Sequence, residues 1–341
     1  MVRVTGNFTS ENPLSPAVKE ALLAAFDQGW ADPKKISQSS AKAAILKNQS
    51  LEILGSKLGI RPDQIEVLGE PALGHYFSIF GLLTSTKNFA YAATDKGKIR
   101  ALARAYSGPV QELKVDGDGH IIEPLSLSKD SVLSWQLANG ETGVIQQVLL
   151  KDSCEIAVDA TASAPRIPLP LNWATAVFDA QSWGGPAGLG LLAVNSSSYT
   201  YPLPRIAPIK SPGSYSLPLL IASAVALETF TPEETFIRNY LINSFSGVEG
   251  VSIVAPQADA IANKVSLVVK NAAGEQLVRT LSEQGFDIDS GSACSPADLQ
   301  PSHVLAEMGY PTTGHLRITL HQGTTTDEID SLRAAITKLM R

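Results

Sequence analysis

Cys294 lies in the run Ser290-Gly291-Ser292-Ala293-Cys294-Ser295, whose small residues should leave its thiol exposed. As a thiolate, such a group attacks sulfur or receives it by exchange. Arg317, in Gly314-His315-Leu316-Arg317-Ile318-Thr319-Leu320, offers a planar fork that suits a carboxylate. Asp159 closes an apolar run and would be costly to bury without a partner. The other chemistry-bearing residues are less pointed. His75, His120, His303, His315 and His321 form no local ligand pattern, so no metal site is expected. Cys154 begins the run that leads to Asp159 and reads as a core thiol. With only two cysteines, far apart, neither a disulfide framework nor a zinc motif is indicated. Gly185-Pro186-Ala187-Gly188-Leu189-Gly190 has neither Walker nor G-x-G-x-x-G spacing and reads as a turn.

These residues need a scaffold, and the apolar pattern supplies one. Runs at 89–93, 131–137, 155–158, 175–178 and 190–194 are short and nearly continuous, as strands covered on both faces are. Helices are expected from Pro16, capped by Ser15, and over 41–58, stopped by Gly59. A short strand is expected at 65–68. Closely spaced prolines and glycine between Tyr201 and Gly213 break the pattern. Beyond them the expectation is a helix from Leu217, strands at 251–254, 264–269 and 315–320, and a helix near 275–284. A last helix should open on a Thr325/Glu328 capping box. A large domain over 15–212 and a small one from 1–14 plus 213–341 follow. The net charge of −6 and scattered basic residues argue against a nucleic-acid partner. The absence of a long apolar run argues against a membrane one, and a cytoplasmic location is expected.

Several runs together carry a family resemblance. Asp179-Ala180-Gln181-Ser182-Trp183-Gly184-Gly185-Pro186-Ala187-Gly188 resembles the cysteine desulfurase loop Ser-x-His-Lys-x-x-Gly-Pro-Lys-Gly. The first lysine of that loop carries pyridoxal phosphate (PLP). Asn139-Gly140-Glu141-Thr142-Gly143-Val144-Ile145-Gln146 resembles Asn-Asn-Glu-Thr-Gly-x-Ile-Gln, and Val158-Asp159-Ala160 the segment that anchors the pyridine. The Cys294 and Arg317 runs match that family's active-cysteine loop and arginine strand in the same order. The resemblance implies the class V aminotransferase architecture, PLP-dependent transferase fold type I, with a large, mostly parallel α/β domain and a small α+β domain. It also implies a homodimer.

By the same resemblance, Cys294 is the candidate persulfide thiol, Arg317 and Asn139 are substrate-binding candidates, and Asp159, Ser182 and Ser214 mark a vestigial PLP site. The departures cluster on the cofactor. Ser182 stands in the lysine slot, and a hydroxyl forms no imine. Gly140 replaces an asparagine, Ala162 a glutamine, and Lys96 the ring-stacking histidine. Gly69-Glu70-Pro71-Ala72 replaces the phosphate turn Gly-Ala-Thr-Glu. The expectation is a degenerate relative without a cofactor, acting by binding, regulation or sulfur relay, with an active desulfurase or a sulfur acceptor as partner. The alternative is a working PLP-dependent desulfurase or related lyase that takes its lysine from elsewhere, Lys96 being the nearest.

Overall fold

The computed structural model describes residues 5–84, 86–122, 127–147, 154–202, 215–291 and 301–340. Two sheets organise them. The larger has seven strands: β2 (Ile65–Leu68), β3 (Asn88–Ala92), β4 (Val110–Leu113), β5 (Ser131–Gln136), β6 (Glu155–Asp159), β7 (Trp173–Asp179) and β8 (Gly190–Val194). They lie in the order β2-β8-β7-β6-β5-β3-β4. From β4 to β7 every pairing is parallel, and only β8 runs against its neighbours. All six residues of β5 are buried, which explains a continuous apolar run rather than an alternating one. Strands expected from that pattern appear within two residues of their expected ends.

Helices cover this sheet. Helix α1 (Pro16–Gln28) has Ser15 as its cap and proline at its first turn, and α2 (Gln38–Leu58) ends on the left-handed Gly59. Helix α2 begins three residues earlier than its apolar pattern suggests, because Ser37 accepts from the Ser40 amide and caps it there. Helices α3 (Pro71–Phe80) and α4 (Gly97–Ala105) follow β2 and β3. Helix α5 (Leu217–Glu228) packs against α1 and α2, and its buried side chains join the large-sheet core.

The smaller sheet has the order β1-β11-β12-β10-β9. It is formed by β1 (Asn7–Phe8), β9 (Val251–Ile253), β10 (Lys264–Val269), β11 (Asp287–Ser290) and β12 (His315–Thr319). Helices α6 (Thr235–Phe245), α7 (Gly274–Glu283) and α9 (Thr326–Leu339) help enclose a separate core with Phe8, Leu267, Leu316 and Ile329. Short α8 (His303–Glu307) packs Val304 and Leu305 into the large core instead. The expected Thr325/Glu328 capping box is formed at α9. The packing of α5 favours a division between α5 and α6, some twenty residues later than the break in the sequence suggests; we propose that boundary for the two domains. Among the described residues, no helix is long and apolar enough to cross a membrane.

Candidate functional site

Parallel strands deliver the ends of their connections to one edge of the sheet, and ligand sites of such sheets lie there. Asp95 follows β3, Asn139 follows β5, Asp159 ends β6 and Asp179 ends β7. Asp159 is the electrostatic centre of this edge. Its Oδ1 accepts the Thr161 amide at 2.9 Å and the Thr161 hydroxyl at 2.6 Å. Lys96, the residue before α4, brings its Nζ to 3.1 Å from Oδ2 and also donates to the Thr161 hydroxyl. His75 of α3 places Nε2 at 3.9 Å from the same Oδ2. Burial alone would raise the Asp159 pKa, but Lys96, His75 and the Thr161 hydrogen bonds outweigh it and hold the carboxyl well below its usual range.

Two departures from the desulfurase pattern, Gly140 and Lys96, lie side by side. A Cβ on Gly140 would lie 3.8 Å from Lys96 Cε and 3.9 Å from Ala162 Cβ. A side chain at position 140 would thus meet both the lysine stem that reaches Asp159 and Ala162. At the start of α3, the Glu70 carboxylate accepts the Ala72 amide at 2.9 Å, and Pro71 has no N–H to offer. The positive end of this helix is thus met by the chain's own carboxylate.

Ser182 sits in a short 3-10 turn over Ala180–Trp183. Its hydroxyl donates to the carbonyls of Asp179 at 2.8 Å and Ala164 at 2.9 Å. The turn is pinned on both sides. Buried Trp183 donates its ring N–H to the Ser223 carbonyl on α5, and Arg166 donates to the Ser182 carbonyl at 2.7 Å. The same guanidinium makes a two-pronged pair with Glu233 at 2.7 and 2.5 Å and lies over the Phe230 ring. A cavity of about 300 Å³ opens in front of this turn, lined by Asp179, Ser182 and Arg166 on one side and Asn263, Lys264 and Thr319 on the other.

The remaining sequence candidates divide sharply. Asn139 is committed to its own loop: Oδ1 accepts the amides of Glu141 and Thr142, and Nδ2 donates to Thr94 and Gln136. Arg317 lies on β12 opposite Ser266 of β10 and Asp289 of β11. Cys154 is buried. Cys294 and Ser214 lie outside the described residues. The flanks of the Cys294 run are held: Ser302 donates to Glu141 at 2.7 Å, and His303 contacts the Asp95 carbonyl at 2.8 Å. A Cβ on Gly291 would fall 2.3 Å from His315 Nδ1, so only glycine fits there. Among the described residues no cluster of three or more His, Cys, Asp or Glu residues could hold a metal ion.

Residues 214–332 match the family model for class-V aminotransferases. Over 98% of the chain and 94% of the relative, the sequence is 24% identical to the cysteine desulfurase IscS of Dictyoglomus turgidum. It is 29% identical to cysteine desulfurase 2 of Trichormus variabilis over 65% of the chain and 63% of that protein. A NifS-like protein superposes with a TM-score of 0.86 at 20% identity, covering 98% of this chain and 99% of its own. The NifS-like protein of Rickettsia africae gives 0.80 at 17% identity, with 98% and 99% covered. The chain is cysteine desulfurase-like in sequence and NifS-like in fold. This fold, the fold type I of PLP-dependent transferases, is the one expected from the resemblance of its motifs.

Within this desulfurase-like frame, His75 is the site residue that sequence reasoning passed over. It lay in no ligand pattern, yet α3 carries it to Asp159. Its pKa falls to about 4, because burial outweighs the attraction of Asp159. The Arg166–Glu233 pair was equally hidden, since sixty-seven residues separate its members. Asp95 is the third. Burial first, and then repulsion by Asp159, push its pKa up to about 7.

Proposed function

We propose that this desulfurase-like chain does not hold PLP as an imine and acts through binding, as a cytoplasmic homodimer that engages an active desulfurase or a sulfur acceptor. One observation carries the reading. The Lys96 ammonium rests on Asp159, the carboxylate that a pyridine nitrogen uses in the family, and Gly140 leaves open space beside its stem. Two further features agree. Ser182 gives its hydroxyl to backbone carbonyls, and Glu70 supplies a carboxylate where a phosphate dianion would need donors. The residues present therefore do not fit PLP in the pose that the family uses. PLP would be the cofactor under the rival reading, a working desulfurase or lyase, which the names of the relatives favour. That reading needs an amine facing the ring, whereas Lys96 is spent on Asp159 and Thr161.

The candidate activity left to such a protein is sulfur relay at Cys294. Its thiolate would attack the outer sulfur of a donor persulfide, forming a new S–S bond while the donor sulfur leaves as thiolate. No cofactor enters that exchange. The decisive experiment adds PLP to the purified protein, reduces with borohydride and maps the peptides. The expected result is a colourless protein with no dominant pyridoxyl-lysine. Stoichiometric pyridoxyl-lysine at one position, Lys96 included, would overturn the proposal.

A further inference from the structure

The cavity in front of Ser182 has an amine in its opposite wall. Lys264 is the first residue of β10, and its Nζ donates to the Thr319 hydroxyl at 2.7 Å across the β10–β12 pair. Among the described residues no carboxylate lies within ion-pair distance of it, in contrast to Lys96, Lys87 and Arg166, each of which has one. Lys264 is partly exposed, and an ammonium with little solvent and no carboxylate beside it is held in its charged form less firmly than a surface lysine.

The surrounding charges nearly balance. Burial is the largest influence on Lys264. Asp289 on β11 and Glu233 before α6 favour its charged form, and Arg317 on β12 and Arg166 oppose it. Its pKa falls to about 8. Near pH 7.5 the neutral amine is then far more populated than in an ordinary lysine.

The residue before this lysine brings an unsatisfied acceptor. Asn263 lines the same cavity, is 6% exposed, and among the described residues its Oδ1 has no hydrogen-bond donor. A buried acceptor in that state favours a ligand that brings an O–H. Both residues are rigidly placed. The Leu320 amide donates to the Asn263 carbonyl at 2.9 Å, and the Ile261 amide donates to the carbonyl of Gly143 on the large domain at 2.9 Å. Gly143 has φ +79°, and a Cβ there would lie 2.8 Å from Lys264 Cβ.

We propose that Lys264 is a reactive amine of this cleft, placed to condense with the carbonyl group of a small hydroxylated aldehyde or ketone whose hydroxyl donates to Asn263 Oδ1. Nζ adds its lone pair to the carbonyl carbon, the carbonyl oxygen takes up two protons and leaves as water, and a C=N bond forms. No electrons are transferred. A cavity of about 300 Å³ accommodates such a ligand with room to spare.

Reductive trapping tests the assignment. Native protein is treated with limiting glycolaldehyde and cyanoborohydride at pH 7.5, and the adducts are mapped by peptide mass. Lys264 should be modified on the order of tenfold faster than the mean of the exposed lysines, a smaller ratio than that of their neutral fractions because a less basic amine is also a weaker nucleophile. Acetaldehyde, which lacks the hydroxyl, should show a weaker preference for Lys264, and Asn263→Ala should erase the difference between the two probes. Lys264→Met should abolish the favoured adduct. Should that variant fail to fold, the distribution of adducts on the native protein still decides. Modification spread evenly over exposed lysines with Lys264 unreacted would overturn the amine, and equal labelling by the two aldehydes would overturn the role of Asn263. Trapping with PLP separates the two proposals: a dominant pyridoxyl group on Lys264 would support the reactive amine and overturn the preceding proposal, whereas glycolaldehyde adducts on Lys264 without a dominant pyridoxyl-lysine support both.

Discussion

An ammonium group and a protonated pyridine make the same demand of a buried carboxylate, a positive N–H within reach. Lys96 meets that demand at Asp159 from within the chain. Returning a lysine to position 182 therefore restores one group and leaves its surroundings unchanged. Ser182→Lys is expected to bind PLP weakly at most and to release no sulfide from cysteine above background, because positioning is part of catalysis. A sulfide-release assay checks this, and rapid turnover by the single variant would show that Lys96 and Glu70 leave the pocket competent. The buried histidines make a second test at this scale. Burial depresses His75 to about 4 and His315 to about 3, with Arg317 adding to the effect at His315. The unfolded chain binds those protons near pH 6.5 and the folded chain does not. Stability from these groups is thus complete above that pH and falls as pH drops from 6.5 toward 4. Urea unfolding across that window should show the wild type losing a few kcal/mol relative to His75→Gln, and parallel curves would refute the assignment.

At the scale of elements, the 180–183 turn depends on partners distant in sequence. Arg166 joins the Ser182 carbonyl to Glu233, and both members of that ion pair are nearly buried. Arg166→Met alone should cost about 3–5 kcal/mol by leaving Glu233 uncompensated, whereas Arg166→Met with Glu233→Leu should recover most of that loss. Chemical denaturation of the four members of the cycle measures it; a single-variant cost below about 1 kcal/mol would mean that the pair does not hold the turn. Legibility in the sequence divides along the same line. Buried parallel strands and capped helices declare themselves locally, through continuous apolar runs and through Ser15, Gly59 and Thr325. Helix α3 did not, because Glu70-Pro71 was weighed as a phosphate turn rather than as the cap and first residue that they are. Nor did the Asp159 cluster. Its members were visible one by one, but His75 and Lys96 are brought to Asp159 by sheet order, which no local window encodes. Asn139 was legible as a motif, but the loop bonds that engage its amide were not.

Across the whole molecule, two cysteines report on different regions. Cys154 is 5% exposed at the start of β6, inside the large core. A thiol probe applied to native protein should react with Cys294 and spare Cys154 until the chain unfolds. Incubation with a persulfide-loaded desulfurase, followed by mass mapping, should place transferred sulfur on Cys294. Sulfur confined to Cys154, or an inert Cys294, would remove the relay and leave binding alone.

The close fit of Gly291 against His315 fixes more than one residue's shape. It anchors a leash. Cys294 follows three residues later, and three residues of fully extended chain span at most about 11 Å, whatever path they take. Under the relay proposed above, a donor would have to bring its sulfur within that reach of the end of the small sheet where β11 and β12 meet, so docking would be limited by covalent reach before any surface complementarity is considered.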